Sequence, residues 1–490
     1  MITKKIVRIG ILHSLTGTMS ISEKPLVDAA QMAINEINQS GGVLGKQLKA
    51  EIVDGASDPT VFARQATALN EKNINTLFGC WTSASRKAVK KVVEGSGGQL
   101  WYPIQYEGLE QSPNIFYIGS TLNQQIEPAV NWCMKSLGRK FYLIASDYVF
   151  PRAANRLIRS LVHQKGGNIA DEHYLSLGAT NFDEVLANIR KHKPDVVFNT
   201  LNGDSNIAFY KQMADHGMLA KDWPVMAVSV SESEIASIVK EMHGHFFCWG
   251  YFQTVDTPEN HVFVKAFKQY NGKKRVTSDP IATAYSQIHL WANTVNKTGS
   301  INPEDVRKNV FEQSLASPLG RLIVNRNHHV SRWARVGQAS KSGQIKILWQ
   351  SEQQIEPLPW LGLEKTNLST IDLIREALAG FTQSIDFSYR LEKEIDERQL
   401  IEEKLQYSNN ELEAKNNELK KVLAELKKIS GLLPICAKCK KIRDDSGYWN
   451  QIEIYIEKHS EARFSHGLCQ ECSDDLYGDQ DWYKKTKKKI

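Results

Sequence analysis

From residue 6 to about 350, short apolar runs alternate with amphipathic stretches, and no other feature constrains the fold as much. "VRIGILHSL", "KAEIVDG", "NTLFGCW" and "QLWYPIQYEG" read as strands. Between them "PLVDAAQMAINEINQSGG", "TVFARQATALNEKN" and "RKAVKKVVEGSGG" read as helices. Near-continuous apolar strands separated by helices form βαβ units, whose parallel sheet is covered on both faces. The pattern restarts at "KFYLIASDY", "DVVFNTLNG" and "PVMAVSVS", and 490 residues are too many for one core. The expected fold class is α/β with two similar lobes over 6–360. Lobe 1 takes about 6–120 and 251–330, lobe 2 about 121–250 and 331–360, and the chain recrosses near 120, 250 and 330.

The character changes after "PLPWLG". A linker is expected over 361–384, a coiled coil over 385–430, a small module over 431–480 and a basic tail over 481–490. Leu391, Leu405, Leu412, Leu419 and Leu426 share one heptad position, interrupted by Arg398, and Ile401, Val422 and Ile429 fall three residues on. So thin a stripe leaves a lone helix marginal, so a parallel homodimer is expected. Gly431 and Pro434 end the helix.

In open α/β sheets, ligands bind beyond the carboxyl ends of the strands. Those ends carry His13, Ser14 and Thr16, then Thr82, Ser83 and Ser85, then Tyr102, Gln105, Tyr106 and Glu107. The later strands add Asp147 and Tyr148, then Asn202, Asp204 and Ser205, then Ser229, Ser231 and Glu232. From these the candidate ligand contacts are Ser83, Ser85, Tyr102, Gln105, Tyr106, Glu107, Asp147, Tyr148, Asn202, Asp204 and Ser231. Each also has a plainer reading: Ser83 and Ser85 as helix caps, Asp147 as a turn residue, Tyr102 as core. No bidentate arginine clamp and no Gly-rich phosphate loop stands out. Hydroxyl and carboxylate acceptors beside aromatic faces suit a small neutral guest with several N–H donors, such as urea or an aliphatic amide. No enzyme is expected, because Cys80 has no histidine placed to activate it.

The segments "GILHSLTGTMSISE", "LFGCWTSASRKAV", "WYPIQYEG", "SDYVFPR" and "KPDVVFNTLNGDSN" closely resemble urea-type ABC-transporter substrate-binding proteins and the related cytoplasmic amide receptor of amidase regulation. The resemblance covers roughly 6–360 and implies the type I periplasmic-binding-protein fold, with two lobes closing on a ligand. It implies that Ser83 and Tyr102 contact the amide and that Tyr148 contacts it from the opposing lobe. Ile104 and Gln105 depart from the amide receptor toward the urea branch.

The tail, about 385–480, resembles a module that follows coiled coils at the end of bacterial sensor chains. Its thiols are spaced C-x2-C-x29-C-x2-C: Cys436, Cys439, Cys469 and Cys472, with His466 as a possible substitute. That spacing predicts one structural zinc in a tetrahedral site, with Trp449, Tyr455 and Phe464 as a minimal core. About sixty residues need such a staple. The start "MITKKIVRIGILHSLTG" reads as a strand rather than an export signal, and no stretch reaches the roughly 18 apolar residues of a membrane span. The expected place is the cytoplasm, or the periplasm if the true start lies upstream. Net charge +6 is spread out, so nucleic acid is not expected as a partner. The combined expectation is an intracellular sensor acting on an unidentified downstream protein. A transporter's binding component is the alternative.

Overall fold

The computed structural model describes residues 6–365, 371–426 and 433–487. They fall into two units, Met1–Glu392 and Lys393–Ile490. The first unit holds two sheets. Strands β1 (Ile6–His13), β2 (Gln47–Asp54), β3 (Thr76–Gly79), β4 (Gln99–Tyr102) and β5 (Ile115–Tyr117) run parallel in the order β2-β1-β3-β4-β5. The second sheet contains β6 (Lys140–Ser146), β7 (Asn168–Leu175), β8 (Val196–Thr200), β9 (Val225–Ala227) and β10 (Phe246–Trp249). After a small hairpin of β11 (Ser314–Ser317) and β12 (Gly320–Ile323), β13 (Arg335–Ala339) and β14 (Ile345–Gln350) complete that sheet. Its order is β14-β13-β10-β9-β8-β6-β7, antiparallel only at β13 and β14.

The chain thus passes between the sheets three times: after β5, after β10 and after β12. Buried Arg332 ties the crossings together. Its Nη1 donates to Ile118 O at 3.1 Å, and its Nη2 pairs with Asp279 Oδ2 at 2.5 Å. Helices cover both faces of each sheet because its central strands are apolar on both sides, while the edge strands β2, β7 and β14 are only partly buried. Ile9 and Ile11 of β1 face one buried cluster while Leu12 faces the other.

Two local sequences shape the strand ends. A Cβ on Gly79 would stand 1.9 Å from Leu12 O, so only glycine lets β3 end this close to β1. Cys80 follows with φ +65°, turning the chain into the Ser83–Ser96 helix. At Gly119 an added Cβ would lie 2.0 Å from the Ile104 carbonyl, so the first crossing presses against the loop that carries Gln105.

A 56-residue helix, Ile371–Leu426, begins well inside the stretch expected as linker. The reason is packing. Phe381 lies under the Arg156 guanidinium at 4.6 Å, Thr382 is buried, and Ile385 joins the core cluster around Val149, Phe150 and Ala154. Farther along, Leu391, Ile401, Leu405, Leu412, Leu419 and Val422 are exposed. Ile429, Gly431 and the Leu426 side chain lie outside the described residues. In the second unit, β15 (Ile442–Arg443) and β16 (Trp449–Asn450) form a hairpin, followed by helices Ile452–His459, Gln470–Tyr477 and Asp481–Lys487. Trp449 and Phe464, expected in a minimal core, are exposed. Among the described residues Ile442 is the one buried side chain of this unit. A module this short has too little apolar surface to enclose them.

Candidate functional site

The turn after β3 builds one wall. The Thr82 side chain accepts the Ser85 N–H at 3.1 Å and caps the Ser83–Ser96 helix. Ser83 donates to Glu107 Oε2 at 2.5 Å and accepts from Arg86 Nη1 at 2.8 Å. Arg86 is fully buried. It donates to Glu107 Oε1 at 2.8 Å and Glu110 Oε1 at 3.0 Å, and lies 4.5 Å over the Tyr106 ring and 5.0 Å over that of Tyr102. Lys87 joins Glu110 Oε2 at 3.0 Å. Burial opposes ionisation of Glu110, but Arg86 and Lys87 outweigh it and hold this carboxyl far below the usual range. The Tyr102 hydroxyl donates to Trp81 O at 2.5 Å. Tyr106 meets His329 Nε2 at 2.5 Å, and burial keeps that histidine neutral down to about 3.

The two lobes meet along a seam of strand ends. Trp81 Nε1 donates to Asn202 Oδ1 at 3.2 Å. Gln105 Nε2 donates to Val228 O at 3.1 Å and Ser229 Oγ at 3.4 Å. The Thr18 hydroxyl donates to Asp204 Oδ1, and the Thr18 carbonyl accepts the Asp204 N–H at 3.2 Å. Ser22 donates to Glu234 Oε1 at 2.5 Å. Among the described residues two buried side-chain oxygens have no partner, Gln105 Oε1 on this seam and Glu232 Oε2 beyond the end of β9. Glu232 lies three residues past Ser229, and its other oxygen accepts the Gln253 N–H at 2.8 Å. Burial pushes its pKa up to about 8, so it is protonated at neutral pH.

The expected contacts therefore divide. Gln105, Asn202 and Asp204 lie on the seam. Ser83, Tyr102, Tyr106 and Glu107 form the network beneath one wall, while Tyr148 is buried at the start of the Val149–Gln164 helix opposite. Three residues are held by their own neighbours instead. Asp147 faces Arg152 through two bonds of 2.5 and 2.9 Å. The Ser85 hydroxyl donates back to Thr82 O. Ser231 caps the Glu232–Ile235 helix and donates to Glu234 Oε2 at 2.6 Å. The pairing of Arg86 and Lys87 with Glu107 and Glu110 had no sequence signal beyond the position of both bases one turn after Ser83. A separate open cavity of about 540 Å³, lined by Val255, Pro318, Trp333, Arg335, Ile347 and Gln350, lies away from these strand ends.

Cys80, Cys133 and Cys248 are buried, and burial raises all three thiols far above their ordinary range. The remaining thiols stand as two pairs, Cys436 with Cys439 and Cys469 with Cys472. Among the described residues no three metal-ligating side chains gather at one point. Nor is any described helix long and apolar enough to cross a membrane.

Residues 7–366 match the family model described as periplasmic binding protein domain. The Leu/Ile/Val-binding protein homolog 1 of Brucella melitensis biotype 1 is 23% identical over 329 residues, covering 63% of this chain and 82% of that protein. A 116-residue match to the limonene hydroxylase of Geobacillus stearothermophilus is 36% identical, but the chain spans only 21% of that relative's length. Among solved structures, an ABC-transporter solute-binding protein of R. palustris in complex with 4-hydroxybenzoate superposes with TM-score 0.67 at 19% identity. It covers 74% of this chain and 100% of that one, a likeness of fold.

Proposed function

The chain belongs to the periplasmic binding protein domain family, whose members hold ligands rather than convert them, and from that premise we propose that it captures urea or a short aliphatic amide between its lobes, as the substrate-binding component of an ABC transporter. The observation that carries the ligand class is a pair of buried side-chain oxygens without a partner among the described residues: Gln105 Oε1, an acceptor, and Glu232 Oε2, the O–H donor of a protonated carboxyl. An orphaned buried polar group costs about 1–3 kcal/mol, and a guest that carries both an N–H donor and a carbonyl oxygen removes that cost. The first N–H groups of the Ser83–Ser96 helix have no partner within the helix and suit the guest's carbonyl oxygen. Arg86 is committed to two glutamates, so an anionic guest would have only those N–H groups to meet it.

Relatives named for branched-chain amino acids make the ammonium group the rival guest, which would need Glu232 ionised. The test is a melt and calorimetric titration of purified protein with urea, acetamide and leucine across pH 6–9. Urea or acetamide should raise the melting temperature, with no gain in affinity on going above pH 8. If leucine alone binds, and more tightly as pH rises, the amide assignment fails. If none binds, solute capture at this seam fails.

One observation favours a second reading, an intracellular sensor. The root of the Ile371–Leu426 helix grips both lobes: Lys87 Nζ donates to Thr382 Oγ1 at 3.2 Å from one, and Arg156 covers Phe381 from the other. Opening the lobes would have to release one grip, so ligand that favours the closed state would bias the helix. Hydrogen exchange over 371–385 with and without ligand separates the readings. Unchanged exchange leaves transport, and ligand-dependent protection supports signalling to a downstream protein.

A further inference from the structure

The two cysteine pairs outside the lobes are each built as half of a metal site. Around the first pair the chain makes a tight knuckle. Cys436 N–H donates to Lys441 O at 2.8 Å, and Lys440 N–H donates to Cys436 O at 2.9 Å. Lys440 adopts φ +60°, the left-handed turn that lets the chain fold back so sharply. The second pair uses a helix instead. Cys469 is the N-cap residue of the Gln470–Tyr477 helix, and Cys472 lies in that helix's first turn.

Thiolate is the form that ligates metal, and none of these four thiols is buried. The hairpin of β15 and β16 leads away from the first half-site, and the following chain supplies the second. Lys438, Lys440, Lys441 and Arg443 surround the knuckle, and their charge offsets that of several thiolates. The rest of the unit explains why a metal is needed: with Ile442 as its one buried described side chain, it has no core to hold these elements together.

We propose that Cys436 and Cys439 from the knuckle and Cys469 and Cys472 from the helix start close over one zinc ion, joining the two half-sites into a four-thiolate structural site. A tetrahedral all-sulfur donor set selects zinc or an iron–sulfur centre. Zinc is the assignment because the site serves to close a fold that has no core of its own. His466, three residues before Cys469, stays outside the ligand set, since two sulfurs at each half-site already complete a tetrahedron.

The experiment uses the full chain, purified reduced and without chelator, with metal measured by elemental analysis and the site probed by cobalt substitution. The expected result is one zinc per chain and, with cobalt, the visible bands of tetrahedral thiolate coordination. Those bands should disappear in Cys436→Ser and in Cys469→Ser, and persist in His466→Ala. Because a cysteine variant could lose metal merely by unfolding, folding is followed in parallel by the melt of the lobes, which all three variants should retain. Free reduced thiols with no bound metal would overturn the proposal, and so would a coloured iron centre. Loss of the cobalt bands in His466→Ala would replace the ligand set with three sulfurs and an imidazole. None of these outcomes depends on what the lobes bind.

Discussion

The lobes and the tail are stabilised by different means. In the lobes large side chains are sealed in: Trp101 is 0% exposed, packed against Phe116 with centroids 4.4 Å apart. In the tail Trp449 is 47% exposed, and the leucines of the long helix face outward. Burial at about 25 cal/mol per Å² supports the first region. The second leaves its apolar and sulfur groups largely on the surface.

Metal removal should break that contrast most sharply. Chelation, or Cys436→Ser with Cys439→Ser, should unfold residues 433–487, since structural zinc contributes on the order of 10 kcal/mol to modules of this kind. Hydrogen exchange should then report full exposure there and no change over 6–365; loosening of the lobes would erase the distinction. Next in size is Arg86→Met. It leaves Glu107 and Glu110 buried without their main cation, at about 3–5 kcal/mol in a denaturant melt of the lobes. The tail's exchange should stay as it was.

Glu232→Gln sharpens the comparison through pH. In the folded ligand-free lobes Glu232 keeps its proton up to about 8, whereas the unfolded chain releases it in the ordinary glutamate range. The folded state binds more protons in that window, so lobe stability falls by about 1.4 kcal/mol per pH unit as pH rises through it. The glutamine variant should lack this slope, and an unchanged slope would disconnect it from Glu232. On the acid side the sign reverses. His245 and His329 stay neutral down to about 3, so stability falls as pH drops below about 6.5, where the unfolded chain takes up protons the folded one refuses. The smallest effect on the lobes belongs to Leu405→Lys with Leu412→Lys. If the exposed stripe pairs two copies of the chain, sedimentation should show a dimer for the parent and a monomer for the variant, while the lobe melt moves by no more than about 0.5 kcal/mol. A variant that sediments like the parent would leave the exposed stripe without a role in self-association.

The α/β alternation was legible because the central strands are buried on both faces and most helices of the lobes on one, a pattern written directly in apolar spacing. Gln105 and Asn202 were legible as cleft residues because strand ends must converge there. The pairing of Asp147 with Arg152, five residues on, was concealed by the hydroxyl-rich context. The Arg86 cluster was invisible because Glu110 lies beyond an irregular loop, and only the folded backbone returns it to the helix. The linker reading of 361–384 failed for a related reason: Phe381 and Ile385 look like the start of a coiled-coil seam, and only the groove beside Phe150 shows that they belong to the body.

That docking has a practical reach for anyone building hybrids from this chain. A splice placed at 360, where the second sheet has ended, would strip away Thr382 and leave the Lys87 ammonium facing the gap. A graft made beyond Glu392 keeps the receptor's wall intact, so the transferable receptor cassette is longer than its sheets and includes about six turns of its own stalk.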